Sequence, residues 1–242
     1  EQVNAIMERR YELRYFAPPE LALQLRDFIQ EYMELDESCV GKPDYRYPFY
    51  TIYLDSDDWK VNWRTIRRDQ DCWKLRLRYY DNHPNSPVLF EVKHQMTDVV
   101  EEYQGGLRRE ALDSVLAGHL PHPGQLSSKA PQQFVAAERF VRSMLELNAR
   151  PRLRIFCQRE AYVSYNDRCR LTLDSRIGVS ELSGDLLATH MDDPLIYVDQ
   201  GVILELRFPE RFPDWFREFV RVSNLSQSFP SNHGHRTFAC AG

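Results

Sequence analysis

The chain has 242 residues, of which 43% are hydrophobic, and a formal net charge of −5 at pH 7. This length suffices for one sizeable core, and because no long Gly/Ser-rich or Pro-rich linker interrupts it, we expect a single domain over residues 1–242. A general nucleic-acid binder needs a basic surface to displace counterions, so the acidic balance argues against nucleic acid as a partner.

The same composition bears on the compartment. The chain contains no apolar run of membrane-spanning length and no recognisable secretory signal, although its first residue is Glu, so a missing leader stays open. Its five cysteines are scattered and form no C-x-x-C pair, which is typical of reduced thiols. We therefore expect a cytoplasmic protein whose oligomeric state the sequence leaves open.

The first half of the chain predicts strands and one helix. Each strand alternates apolar and polar residues with period two, and the helix begins at Pro18-Pro19 and continues to about Glu34. The strands are residues 10–16, 50–55, 73–80 and 88–95. A short helix or an irregular excursion at 59–65 precedes a charged turn at 67–71, and residues 81–87 form a hairpin loop.

The second half predicts helices followed by more strands. A short helix covers residues 107–117 and a longer one 132–148, with a buried stripe of Phe134, Val135, Phe140, Val141, Met144 and Leu145. The strands are residues 153–163, 169–174 and 197–208, with a tight turn at Asn166-Asp167, and a last helix covers 213–225. This succession predicts an α+β fold with a large antiparallel sheet.

The predicted strand at 73–80 has one basic face. Lys74, Arg76 and Arg78 alternate with leucines, and the strands at 10–16, 88–95, 169–174 and 197–208 repeat this pattern of one apolar and one charged face. Such strands can place the apolar faces in a common core and the charges in water. Alternatively, the sheet closes with its charges inward and helices cover the apolar outside.

Seven short motifs, in order, resemble the VTC domain. This is the catalytic domain of the vacuolar transporter chaperone polyphosphate polymerases and their bacterial relatives, within the triphosphate tunnel metalloenzyme or CYTH-like superfamily. The motifs are Arg10-x-Glu12-x-Arg14-Tyr15, Thr51-x-Tyr53-x-Asp55, Leu75-Arg76-x-Arg78-Tyr79-Tyr80, Glu91-x-Lys93, Arg159-x-Ala161-Tyr162, Arg170-x-Thr172-Leu173-Asp174 and Leu204-Glu205-Leu206-Arg207.

The resemblance implies a closed antiparallel β-tunnel of about eight strands, with a charged interior and helices outside. It implies a site for ATP or another triphosphate and for polyphosphate, with Mg²⁺ or Mn²⁺ as the cofactor. The implied phosphate-binding residues are Arg10, Arg14, Arg76, Arg78, Lys93, Arg159, Arg170 and Arg207. The implied catalytic residues are Arg76, Arg78, Lys93 and Glu205, and the implied metal ligands are Glu205, Glu91 and Glu12.

Arg159 is a special case among these residues. Strict alternation places it on the same strand face as Ile155 and Cys157, so we expect that a β-bulge is needed to turn it inward.

Three functions stay open. The favoured one is an enzyme that makes polyphosphate by phosphoryl transfer from ATP. A non-catalytic module that binds polyphosphate or nucleotide is favoured by two departures from the family: the acidic segment 99–103 replaces a basic strand, and Ser228–Asn232 lacks a lysine. An inorganic triphosphatase is third, because hydrolytic relatives begin with Glu-x-Glu-x-Lys where this chain has Arg10-x-Glu12-x-Arg14.

Overall fold

The structure, a computed structural model, describes residues 8–61, 71–96, 99–164, 168–223 and 225. The strands are β1 Glu8–Ala17, β2 Glu34–Leu35, β3 Tyr47–Asp55, β4 Asp71–Tyr79, β5 Val88–Met96, β6 Val99–Leu107, β7 Arg150–Val163, β8 Arg170–Glu181, β9 Leu195–Val198 and β10 Val202–Phe208. The helices with described bounds are α1 Pro19–Gln30, α2 Leu112–Leu116, α3 Pro131–Glu146 and α4 Asp214–Ser223.

All the strands belong to one curled antiparallel sheet. Their order is β2-β7-β3-β4-β5-β6-β1-β10-β8-β9, and β7 also pairs with β8. The eight longer strands therefore follow one another in a cycle of pairings, while β2 and β9 add to it as short extra strands. The predicted α+β class with a large antiparallel sheet is confirmed.

Apolar residues of alternate strand positions pack against the helices. On β4 and β5, Leu75, Leu77 and Phe90 are buried in one cluster with Phe140 of α3. Farther along the same sheet, leucines of β8 and β10 pack against α1 and α4 in a second cluster. Burial of apolar side chains is the main favourable term in folding. It therefore also fixes which face of each strand points away from the helices.

The predicted stripe of α3 is partly wrong. Phe134, Val135 and Leu145 are 38%, 55% and 59% exposed, whereas Phe140, Val141 and Met144 are buried as predicted. The buried residues of α3 include Ala136, Ala137, Phe140, Val141 and Met144, which recur at helical spacing, so the covered face contains the two alanines rather than Phe134 and Val135. At the start of this face, the buried side chain of Gln133 accepts a hydrogen bond from the backbone N–H of Gly106 at 3.0 Å.

Other element boundaries also differ from the predictions. Helix α1 ends at Gln30 rather than near Glu34, and the predicted helix at 107–117 is the end of β6 followed by the shorter α2. The predicted strand at 197–208 is two strands, because the chain turns at Gly201, where φ is 84°. A side chain there would come within 2.5 Å of the carbonyl oxygen of Ala17, so only glycine fits this turn.

Parts of several predictions lie outside the described residues: most of the helix at 59–65, the charged turn at 67–71, the turn at Asn166-Asp167 and the segment Ser228–Asn232. Among the helices of the described ranges, none combines the length and apolar character that crossing a membrane requires.

Candidate anion-binding site

The charged strand faces meet at one small cavity. Among its lining residues are five arginines and two carboxylates that come from β1, β4, β7, β8 and β10. These are Arg14, Arg76, Arg78, Arg159, Arg207, Asp174 and Glu205. We call this space the charged cavity; its volume is about 40 Å³, which is room for only a few water molecules.

On one wall of the charged cavity, two arginines of β4 share one carboxylate of β5. The register places Arg76 opposite Glu91, and the Nε of Arg76 donates to the Glu91 carboxylate. Nη1 of Arg78 lies 3.5 Å from the other oxygen of Glu91, which is only 1% exposed. Burial would raise the pKa of Glu91, but Arg76 and Arg78 outweigh it and lower that pKa to about 2.

On the opposite wall, β1 and β10 place Arg14 directly across from Glu205. Nε of Arg14 donates to Oε2 of Glu205 at 2.6 Å, and Nε of Arg207 donates to Oε1 of the same carboxylate. Despite its burial, Glu205 therefore has a pKa well below its usual value, because Arg14 and Arg207 favour the ionised form.

Glu12 and Lys93 form the third buried ion pair of this site. Nζ of Lys93 donates to Oε2 of Glu12, while Oε1 of Glu12 lies 3.4 Å from Nε of Arg207. Burial would raise the pKa of Glu12, but Lys93, Arg207 and Arg14 outweigh it and lower that pKa to about 2. For Lys93 burial dominates over the attraction of Glu12 and lowers the pKa to about 8.

Arg159 reaches the charged cavity without a bulge between Ile155 and Arg159 in its own strand. It lines the cavity together with Ile155 of the same strand face, and its pairing with β3 runs without a shift from Tyr47 to Tyr53. The prediction that a bulge must turn Arg159 inward is therefore wrong, because the face that carries Ile155 is itself the cavity face. The extra residue lies in β8 instead, where Arg176 has a φ of 50°.

Arg159 is held by a planar, two-point contact. Its Nε and Nη2 donate to the two oxygens of Asp174, both at 2.7 Å. This fork geometry orients the guanidinium and raises its pKa well above the usual value, although burial alone would lower it.

Phe49 is a cavity residue that the sequence prediction missed. The guanidinium carbons of Arg78 and Arg159 lie 5.0 and 4.6 Å from the centre of its ring, which is within the range of cation–π interactions. Phe49 follows Pro48, and the predicted strand began only at residue 50, whereas β3 begins at Tyr47. Continuing the alternation of Thr51 and Tyr53 backwards through the proline would have found it.

Glu102 is the second missed residue. It lies on β6 opposite Lys93, is 4% exposed, and its Oε1 is 3.6 Å from Nη2 of Arg76. The sequence marked the segment 99–103 only as a departure from a basic strand, without assigning Glu102 a partner.

Lys93 and Arg170, two of the predicted phosphate ligands, are not among the residues that line the charged cavity. The side chain of Arg170 is 34% exposed and its Nη2 lies 3.2 Å from Asp36. The side chain of Arg10 lies outside the described ones. Their phosphate-binding roles stay predictions.

Two buried donors of the charged cavity lack hydrogen-bond acceptors among the described residues. They are Nη2 of Arg76 and Nε of Arg78. Leaving a charged donor buried and unsatisfied is costly, so such atoms mark a place where an acceptor is expected to bind. An anion with several oxygens is an acceptor of this kind.

The carboxylates of this site suit a metal ion only when a bound phosphate also coordinates that ion. In the described ranges no three His, Cys, Asp or Glu side chains gather as a metal site of their own. Glu12 and Glu205 are nevertheless close enough for Glu205 to oppose the ionisation of Glu12. Because Mg²⁺ bound to phosphates needs only one or two protein carboxylates, this pair fits a phosphate-bound ion.

Comparison with solved structures identifies the class of fold first. The curled sheet is similar to the crystal structure of a candidate adenylate cyclase from Bacillus halodurans, with a TM-score of 0.53 and 15% identity over 93% of this chain and 95% of that one. This similarity shows that the two chains share one fold. Two archaeal structures overlap less well: a protein from Pyrococcus horikoshii (TM-score 0.43, 8% identity, 91% and 96% covered) and a conserved hypothetical protein from Pyrococcus furiosus (0.44, 10%, 91% and 96%).

The family follows from the sequence profile. The VTC domain profile matches residues 9–234, most of the chain, and the protein therefore belongs to the VTC domain family. No curated protein sequence matches it at a significant level.

Proposed function

We propose that the curled sheet closes around the charged cavity as a tunnel and that this protein makes polyphosphate there by phosphoryl transfer from ATP. The observation that carries the proposal is the pair of unsatisfied buried donors, Nη2 of Arg76 and Nε of Arg78, at a cavity lined by five arginines. Membership of the VTC domain family supports the choice of a phosphate chain as the anion.

The arginines suit a chain of phosphates for a geometric reason. A guanidinium donates two parallel hydrogen bonds to neighbouring oxygens, so it orients a phosphate as well as neutralising it. Arg14 and Arg207 approach from β1 and β10, and Arg76 and Arg78 approach from β4. A phosphate chain lying between these walls would meet cations on both sides.

Phosphoryl transfer requires little covalent chemistry from the protein itself. It requires that attacking and leaving oxygens be held in line and that the charge of the transferred group be neutralised. Arg76 and Arg78 would hold the transferred phosphate, while Lys93 and Arg14 would neutralise its neighbours. Mg²⁺ or Mn²⁺, held by Glu205 and Glu12, would supply additional positive charge at the phosphate oxygens.

A second candidate is a module that binds phosphate chains without turnover. The observation that favours it is the full use of Glu205, whose two oxygens accept hydrogen bonds from Arg14 and Arg207. A metal ion at Glu205 would have to share a carboxylate oxygen with one of these arginines or displace that arginine. If neither occurs, the arginines still bind the anion but phosphoryl transfer lacks its metal.

The test is incubation of the whole chain with ATP and either Mg²⁺ or Mn²⁺. Chain growth on a gel stained for polyphosphate supports the polymerase, and it should disappear in the Arg76→Ala variant but persist in Arg142→Ala, a control on the exposed face of α3. Release of orthophosphate without polymer would indicate a triphosphatase instead.

Direct binding separates the second candidate from the first. Titration calorimetry with tripolyphosphate measures affinity independently of turnover. Tight binding without any product under either metal would support the binding module, and absence of both binding and product would contradict the proposal as a whole.

A further inference from the structure

Glu102 is not itself among the residues that line the charged cavity, but it places a negative charge beside Arg76, which does line it. Its Oε1 lies 3.6 Å from Nη2 of Arg76, which is too long for a hydrogen bond, and this Nη2 is one of the two unsatisfied donors. Glu102 thus partly neutralises the guanidinium without satisfying the donor. The donor remains available to an oxygen that can come closer.

The influence of Glu102 extends to a second arginine. Burial would lower the pKa of Arg207, but Glu205, Glu12 and Glu102 outweigh it and raise that pKa. Glu102 is also directly opposite Lys93 in the β5–β6 register. One carboxylate on β6 therefore lies within the field of cations on three other strands.

We infer that Glu102 is a specificity-determining residue, whose carboxylate competes with ligand oxygens for Arg76 and disfavours the most highly charged phosphate chains. This inference rests on the proposed function, since it concerns the same cavity. A cavity of about 40 Å³ cannot admit a phosphate chain unless side chains move. The Glu102 carboxylate, as a like charge beside the incoming anion, opposes that entry, and it does so more strongly for each added phosphate charge.

The neighbouring residue provides a matched control. Glu101 precedes Glu102 on β6, so alternation directs its side chain to the other face, where it lies 3.9 Å from Nδ1 of His94. Glu101→Gln removes the same charge from the same strand but not from the charged cavity. General effects of net charge should therefore be equal in the two variants.

The experiment measures the affinity of the whole chain for orthophosphate, pyrophosphate and tripolyphosphate, without metal, in wild type, Glu101→Gln and Glu102→Gln. We expect Glu102→Gln to bind tripolyphosphate about tenfold more tightly than wild type, to gain less for pyrophosphate, and Glu101→Gln to resemble wild type. Glu102→Ala, measured in parallel, should show the same order of affinity gains, tripolyphosphate above pyrophosphate. Thermal unfolding of each variant reports whether it is folded, so that misfolding of one variant does not decide the result.

Three outcomes would overturn the inference. If wild type binds tripolyphosphate and Glu102→Gln binds it no better, the inference fails while the proposed anion binding stands. Equal gains in Glu101→Gln and Glu102→Gln would show a general charge effect instead of competition for Arg76. If neither wild type nor any Glu102 variant binds a phosphate chain, both the inference and the proposed function fail.

Discussion

Lys93 on β5 reaches across β6 to Glu12 on β1, and its ammonium group donates a hydrogen bond to that carboxylate. The two residues are not on neighbouring strands, so backbone pairing alone does not bring them together. Both are almost fully buried, with side-chain exposures of 2% and 7%. The contact therefore links two strands of the curled sheet through a buried ion pair.

Breaking this pair should destabilise the fold. Glu12→Gln leaves Lys93 buried without its closest counter-charge, and losing one member of a buried pair costs about 3 kcal/mol of the free energy of unfolding. Urea unfolding measures the loss. The double variant Glu12→Gln/Lys93→Met should recover much of it, and equal stability of the single variant and wild type would contradict a structural role for the pair.

Acid should weaken the same pair in a defined range. Because the pKa of Glu12 is lowered from 4.5 to about 2, the unfolded chain binds the proton first, and the stabilisation present above pH 4.5 is lost as pH falls towards 2. Unfolding free energies measured across this range should fall more steeply in wild type than in Glu12→Gln. Parallel curves would contradict the lowered pKa.

Lys93 should make stability depend on pH with the same sign, but in the basic range. Its pKa is lowered from 10.5 to about 8, so between these values the unfolded chain binds more protons than the folded one. Stability should therefore rise with pH over this interval as far as this residue contributes. Lys93→Met should remove that rise. If the difference in unfolding free energy between wild type and Lys93→Met stays constant from pH 8 to 10.5, the lowered pKa of Lys93 is contradicted.

The sequence predicted the charged strand faces well because they follow from period-two alternation. Arg76, Arg78 and Glu205 needed only that rule, and the structure places all of them at or beside the charged cavity. The sequence pattern could not predict which cation pairs with which carboxylate, because contacts such as that of Lys93 with Glu12 depend on the curl of the sheet. Pairing between non-adjacent strands is a tertiary property that local pattern does not encode.

The failed predictions have equally specific causes. The predicted stripe of α3 included Phe134, Val135 and Leu145 but omitted Ala136 and Ala137, although the two alanines share the helical spacing of the buried Phe140 and Met144. Phe49 was missed because the predicted strand began at residue 50, whereas β3 begins at Tyr47 and tolerates Pro48 near its start. Arg159 was thought to need a bulge because Ile155 and Cys157 look like core residues, while their face also borders the cavity.

Removing a cavity arginine should weaken anion binding. Arg76→Ala deletes a guanidinium whose Nη2 has no hydrogen-bond acceptor among the described residues, and we expect it to reduce the binding free energy of tripolyphosphate by more than about 1.5 kcal/mol. Calorimetry measures the change, with Arg142→Ala on exposed α3 as the control. Equal losses in both variants would assign the effect to net charge.

Phe49 should control the affinity indirectly, by positioning two arginines at once. Its ring lies 5.0 Å from the guanidinium of Arg78 and 4.6 Å from that of Arg159. Phe49→Leu keeps an apolar side chain but removes the π-face, so each arginine loses a contact of about 0.5–1 kcal/mol and gains rotational freedom. We expect weaker tripolyphosphate binding, by about three- to tenfold, and a larger unfavourable entropy of binding because the ligand must now order both arginines. Phe49→Tyr retains the π-face and should restore most of the affinity, whereas equal affinity of wild type and Phe49→Leu would show that Asp174 and Glu91 alone hold these arginines in place.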